Sequence, residues 1–476
     1  MRDVYLSVIL LTACRPVTAA AAEELPEPEL PGLTTTRYEE DYSVLRNPGR
    51  KRDDPLASFA GLKYIPLGKG GEDYLSLGCE IRLRYESYEN NLWGDGPQDR
   101  GGYLWGRALP YADFHLGESF RAFGQLISAF EWEDDTGRSP PDEDRFDVLQ
   151  AFVDVHVDSD AGSITVRPGR QLLRYGSERL IGVRYGPNVP QPFDAAIARI
   201  DRGPWRLDLF YARPVAIDSG AIDDQADETQ SIWSAYATRK LTSLGDDIGI
   251  DLYYIGYLDK DAAFAQDNGR ELRHTLGTRF FGDNKGFDWN LECFYQFGTF
   301  DTAAADGKIS AWSVASSIGL TLEQVALRPR FGLNTNVISG DDDPDDPDLQ
   351  TFNALFPKGK YFGEIGLIGP YNIINIHPTL SLHLTNQLTV DLACAFYWRY
   401  SASDGVYDNG GNVIRDGLET SERFIGTQLE AVVTYTISRE FELSAAYGTF
   451  LPGRFIEESG SDDVVHFVGV EFSYRF

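Results

Sequence analysis

The sequence predicts an all-β chain, an 18-stranded antiparallel transmembrane β-barrel. Three observations carry that prediction. From Tyr74 onward, apolar and polar residues alternate with a period of two in segment after segment. The connections between these segments alternate strictly between short and long. The last segment, FVGVEFSYRF, is itself alternating and closes on Phe476. No long stretch repeats apolar residues at helical spacing, and beyond the N-terminus there is no run of about 18 apolar residues that would make a transmembrane helix.

Residues 1–22 read as a signal peptide: a charge at Arg2, an apolar run from Val4 to Ala13, and small residues before Glu23. Leu11-Thr12-Ala13-Cys14 is a rival processing site with the form of a lipoprotein box, in which Cys14 would be lipidated. Residues 23–73 change character twice, from the Pro/Glu-rich ELPEPELPGL to the mixed-charge NPGRKRDDPL, and show no strand period; they read as a periplasmic N-terminal arm. The barrel domain is then 74–476.

Its candidate strands are 74–89, 103–116, 118–132, 146–158, 162–172, 193–202, 205–214, 230–241, 246–259, 270–282, 286–300, 308–320, 323–338, 371–385, 387–401, 422–437, 439–451 and 463–476. In YLSLGCEIRLRYE, Leu75, Leu77, Cys79, Ile81, Leu83 and Tyr85 share one face. FDWNLECFYQF and LTVDLACAFYWRY repeat that split, and all three mature cysteines (Cys79, Cys293, Cys394) fall on the apolar side as small apolar side chains. Short connections such as Gly117-Glu118 and Gly203-Pro204 alternate with long ones such as 173–192 and 339–370. A sandwich has no reason to alternate so; an outer-membrane barrel does, because its periplasmic turns are tight and its extracellular loops long. A terminal Phe on an alternating strand is similar to the C-terminal signature of such barrels. The predicted location is therefore the outer membrane of a Gram-negative-type bacterium, with membrane lipid and lipopolysaccharide against the apolar face.

If apolar residues face lipid, the opposite parity names the lumen. It holds Glu80, Arg82 and Arg84; Arg273 and Arg279; Arg328 and Arg330 with Asn334 and Asn336; Arg399; and Gln428 with Glu430. Taken singly, each arginine reads as readily as a rim residue or an internal ion-pair partner of a lumenal Glu or Asp as it does as a lining of the path. Taken together, repeated inward arginines suit an anion path. Arg167, Arg170, Arg174 and Arg179 cluster around the end of the fifth strand, in a chain whose net charge is −30.

At this point the sequence resembles the alginate export family of 18-stranded outer-membrane porins. The resemblance rests on Val166-Arg-Pro-Gly-Arg-Gln171, Tyr175-Gly-Ser-Glu-Arg-Leu-Ile-Gly182, Phe193-Asp194 and Ser339-Gly-Asp341. It continues through Thr351-Phe352, Leu355-Phe356-Pro357, Tyr361-Phe-Gly363, Asn372 and Tyr397-Trp398-Arg399. It implies passive export of an anionic polysaccharide or oligosaccharide through an electropositive constriction, and a periplasmic synthase complex as partner. It also carries over Arg170 and Arg399. The family's alginate exporter has a long periplasmic connection near its end that plugs the lumen; here the turn is only Ile437-Ser-Arg-Glu440. Gating is then expected from an inward-folding extracellular loop or from the 23–73 arm. Strict alternation puts Arg167 inward and Arg170 outward, so a role for Arg170 in the lumen calls for a bulge at Pro168-Gly169, which would turn Arg170 and Arg174 inward.

Other chemistry is weakly represented. GDDDPDDPD at 340–348 offers Asp341, Asp342 and Asp343 as a Ca²⁺ candidate, yet lacks EF-hand spacing and reads first as a solvated loop. The six histidines show no metal or catalytic spacing, no nucleophile motif occurs, and no cofactor motif is present. The acidic balance excludes general nucleic-acid binding. The expectation is thus a non-enzymatic channel, with uptake of small anions or general solutes as the alternative and an occluded structural barrel as a third class.

Overall fold

A computed structural model describes residues 31–46, 60–68, 72–98, 101–132, 142–245 and 247–476; the signal-peptide and Cys14 readings lie outside them. One antiparallel sheet takes up 20 strands, two of which are two-residue additions (Ile65–Pro66 and Gln225–Ala226). The other 18 close into a barrel. They are β1 (Tyr74–Glu89), β2 (Tyr103–Leu116), β3 (Phe120–Trp132), β4 (Asp144–Ser159), β5 (Gly162–Leu172), β6 (Pro192–Arg202), β7 (Trp205–Ala216), β8 (Gln230–Lys240) and β9 (Gly249–Ala263). There follow β10 (Asn268–Asn284), β11 (Phe287–Thr302), β12 (Asp306–Thr321), β13 (Arg330–Ile338), β14 (Ile373–His383), β15 (Leu388–Arg399), β16 (Phe424–Thr436), β17 (Phe441–Pro452) and β18 (Val465–Arg475). Each strand pairs with its sequence neighbour, and β1 closes the ring on β18 from Glu80↔Arg475 to Glu89↔His466. Closure is required because an unpaired edge cannot be hydrated inside lipid.

The faces follow the alternation. On β1, Leu83 is 43% exposed to the outside while its neighbour Arg82 is 1% exposed; Leu276 and Phe280 on β10 likewise point out and Arg273 in. Cys79, Cys293 and Cys394 are free thiols. The strand expected to begin at 323 begins at Arg330, because 322–329 forms a longer turn.

The interior is filled rather than hollow. The loops 173–191 and 339–372, both extracellular in sequence order, fold inward and carry the largest apolar cluster, including Leu180, Ile181, Phe352, Phe356, Phe362 and Ile365. They zip together across the lumen: Gly182 N–H donates to Phe356 O (2.8 Å), Phe356 N–H to Leu180 O (3.0 Å) and Lys358 N–H to Glu178 O (2.9 Å). Segment 31–46 enters from the periplasmic end. There the Tyr38 ring meets Phe123 and Phe152 edge-on, and its hydroxyl donates to Leu172 O (3.1 Å).

Candidate functional site: a divided lumen

The inward side chains fall into two groups. The first holds the loops. Arg82, on β1, donates to the carbonyls of Tyr185 (2.9 Å), Gly186 (3.3 Å) and Pro187 (2.8 Å). Arg84 pairs with Glu86, Glu364 and Glu471 at 2.5–2.7 Å. Glu80 accepts from Arg107 (2.7 Å) and Arg475 (3.2 Å), and the Arg107 guanidinium lies 4.2 Å from the Tyr185 ring centroid. Arg273 pairs with Glu271 and donates to Gln296 (2.7 Å) and to Thr351 O (3.2 Å). Glu430 accepts the Ile365 N–H (2.9 Å); Gly363, at φ +136°, leaves the space, since a Cβ there would lie 2.3 Å from the Glu430 carboxylate.

Arg399 is the most committed of these. Its guanidinium donates to the carbonyls of Ala402, Asp404, Gly417, Thr420 and Glu422 at 2.5–3.1 Å, clamping the 400–423 loop above Phe455. Burying these charges is tolerable only because every one is hydrogen-bonded or paired. Sequence parity placed them correctly inside but could not show that they meet carbonyls and carboxylates rather than solute.

The second group faces open space. A cavity of about 580 Å³ toward the periplasm is lined by Arg121, Arg167, Arg174, Arg199, Arg206 and Arg279, against the carboxylates Glu39, Glu178, Asp208 and Asp251. Each guanidinium has an acidic partner: Asp113 for Arg121 (2.7 Å), Asp154 for Arg167 (2.6 Å), Asp208 for Arg199, Asp201 for Arg206 and Asp251 for Arg279 (2.8 Å each), and Glu39 of the arm for Arg174. A neighbouring cavity of about 610 Å³, bounded by Asp41, Ser43 and Arg46 of the arm, shares Arg121, Arg167 and Arg199. Arg121, Arg199 and Arg206 were not singled out from the sequence. Their strands carry Phe123 and Ile197 on the same inward face, which blurs the apolar–polar split that would have named them.

Beyond the zipped loops the charge reverses. A cavity of about 700 Å³ has Glu86, Glu131, Asp142, Glu364 and Asp408 against Arg184 and Lys360. Another of about 480 Å³ has Asp227, Asp259, Asp261 and Glu271 against Arg184 alone. Burial by itself would raise the Glu364 carboxyl, but Lys360 and Arg84 beside it hold it below the usual carboxylate range.

Three expectations are corrected. Arg170 does not turn inward. Its register partner is Asp194, while the adjacent Gln171 and Phe193 are fully buried on the lumenal side, so Arg170 stands on the opposite face. No register shift occurs against β6, and Gly169 is needed for a φ of +132° where a Cβ would lie 2.3 Å from Ala151 O. Arg170 is instead a wall residue near the extracellular end, paired with Asp194 at 2.8 Å. Arg328 sits in the 322–329 turn, exposed and paired with Glu323 (2.8 Å), not in the lumen; Arg330, the first residue of β13, pairs with Asp288 (2.6 Å). The Asp341–Asp343 run does not converge on a metal. The Asp341 carboxylate accepts the N–H groups of Asp343 (3.0 Å) and Gln350 (2.9 Å), Asp343 accepts from Asp345 (3.2 Å), and burial pushes Asp341 up to about 6.

The alginate export family model matches residues 73–470. No curated protein sequence matches the chain. Solved structures with the same fold include Pseudomonas aeruginosa OpdK with vanillate, at 11% identity and TM-score 0.57 over 84% of this chain and 98% of that one. Pseudomonas aeruginosa OccK2 (OpdF) in complex with glucuronate has 11% identity and TM-score 0.55 over the same shares. OccK11 (OpdR) of the same organism has 12% identity and TM-score 0.52 over 85% of this chain and 96% of that one. Barrel closure, outward apolar face and family match agree: the chain is an outer-membrane channel barrel and belongs to the alginate export family.

Proposed function

We propose that the protein passes an anionic polysaccharide such as alginate out of the periplasm, without making or breaking a bond. The observation that carries this reading is the polarity of the lumen. The periplasmic cavity is lined by six guanidinium groups against four carboxylates, whereas the larger extracellular cavity has five carboxylates against two cations. An acidic sugar entering from the periplasm meets a wall that presents guanidinium groups, each balanced by a carboxylate at or behind the wall. From outside it meets one that presents mainly carboxylates. Arginine suits the first step because it stays charged and its planar fork pairs carboxylates. Paired guanidinium groups keep each contact weak enough to release the chain.

A second reading, uptake of small anions, is favoured by the zipped loops, which leave compartments sized for small solutes rather than a continuous bore. It also draws on the fold neighbours solved with vanillate and with glucuronate. Planar-bilayer recording of the refolded full chain separates the two. Export predicts anion selectivity and block by polyuronate added on the periplasmic side. Cation selectivity without block would end that reading, and block by monomeric glucuronate but not by polyuronate would favour the second.

A further inference from the structure

At the extracellular end of the wall, β4 outruns its partner: pairing with β5 ends at Ala151↔Arg170, and residues 144–150 have no β5 neighbour. The loop 217–229 covers this seam. Phe146 bridges to Ala221, Ile222 N–H donates to Phe146 O (3.0 Å), and the N–H groups of Asp223 and Asp224 donate to one Asp147 carboxylate oxygen (2.9 and 3.1 Å). The carboxylates of Asp147, Asp223 and Asp224 come together here, each offering an oxygen within 4.8 Å of the others.

Acidic clusters at a rim are common, so the cluster alone decides nothing. The independent observation is Asp144, three residues back along β4, across a bulge against β3. It is 0% exposed, and no side-chain donor or cation pairs with either of its oxygens. The backbone N–H of Phe146 is the one donor that bears on it, and the charged groups around it are Asp224, Asp147 and Asp223. One Asp223 oxygen is equally buried and without a donor. A buried carboxylate that faces other carboxylates with no paired cation is among the least tolerable groups in a protein. Among the described residues, Arg170 lies 3.9 Å from Asp147 and is already committed to Asp194 and to the carbonyls of Val148 and Asp224.

We propose that Asp144, Asp147, Asp223 and Asp224 form a divalent-cation site, with calcium as its ion, that fastens loop 217–229 over the open end of β4. Oxygen-only, carboxylate-rich and irregular donors from two segments suit Ca²⁺, which accepts 6–8 oxygens in flexible geometry, better than Mg²⁺, which demands a near-octahedral set. Asp223 and Asp224 are only half-buried, so the ion can exchange with the outside, and water can complete its shell.

The test uses full-length protein refolded in detergent, stripped with EDTA and titrated with CaCl₂ alone. One saturable site per chain by calorimetry, and at least tenfold slower amide exchange across 217–229 in Ca²⁺ than in EDTA, are expected. The Asp223→Ala/Asp224→Ala variant should lose both effects, whereas the exposed Asp342→Asn/Asp345→Asn variant in the 340–348 run should keep them. No saturable binding by the wild type, or binding that survives Asp223→Ala/Asp224→Ala, would overturn the proposal. If that variant does not refold, the exchange comparison on wild-type protein decides: equal rates in Ca²⁺ and EDTA refute the site.

Discussion

At the residue scale, inward arginines do two different jobs, and what each one touches tells them apart. Arg199 lines the periplasmic cavity, is partly solvated and pairs with Asp208. Arg199→Ala leaves that carboxylate facing the path alone. A unit charge about 7 Å from a passing ion in water changes its energy by about 0.6 kcal/mol, close to threefold in partition. Because an anion loses what a cation gains, the anion-to-cation ratio, read from the reversal potential in a KCl gradient, should fall by about sevenfold, and an unmoved reversal potential would remove Arg199 from the path. Arg399 tests the other job. Arg399→Ala strips a fork of donors from five carbonyls. It should cost on the order of 3 kcal/mol in local stability of the 400–423 loop, seen as faster amide exchange there, while selectivity stays unchanged. Parity in the sequence located Arg399 inside, and the family motif pointed to it. Neither could separate anchor from lining, because that depends on loops whose path has no periodicity to read.

At the element scale, strand positions were legible because a membrane forces period-two alternation on every crossing, and the tight turns between them carry Gly, Pro and Asp. The contents of the barrel were legible only as lengths: the short Ile437–Glu440 turn pointed to a loop or the arm as the gate, and the loops 173–191 and 339–372 fold into the lumen while the arm packs at its periplasmic end. On the arm, a short helix (Ala60–Lys63) brings Lys63 against the Tyr111 hydroxyl (2.6 Å) and the rings of Tyr42 and Phe476. Arg37 donates to Phe476 O at 2.9 Å. Burial, helped by Arg37, lowers the Lys63 ammonium from 10.5 to about 7. The released arm binds that proton more tightly than the docked one, so docking strengthens as pH rises from about 7 to about 10.5, by at most about 1.4 kcal/mol per unit. Long openings should therefore be rarer at pH 9 than at pH 7, and Lys63→Met should abolish the difference. Deleting 31–46 should raise single-channel conductance at both pH values; unchanged openings would show that the arm does not obstruct the path.

At the scale of the whole molecule, a chain of net charge −30 surrounds a periplasmic cavity whose lining presents more guanidinium groups than carboxylates, with further carboxylates paired behind it. Total charge by itself does not fix the field inside one cavity. The resolution is one of range, since lining charges act over a few ångströms and the total charge acts over the distance that salt permits. At about 0.01 M salt the screening length is about 30 Å, wide enough for the whole negative surface to act on an ion in the lumen. At about 0.1 M it is about 10 Å, so the lining dominates, and at about 1 M, near 3 Å, even the lining is muted. Anion preference should therefore pass through a maximum near 0.1 M, with lower values at both extremes. The acidic extracellular cavities add a directional consequence: at low salt an anion should enter more readily from the periplasmic side, and the current–voltage curve should rectify. A preference that only declines from 0.01 M upward, with a symmetric curve, would mean that the outer charge never reaches the path. Selectivity would then belong to the arginine cavity alone.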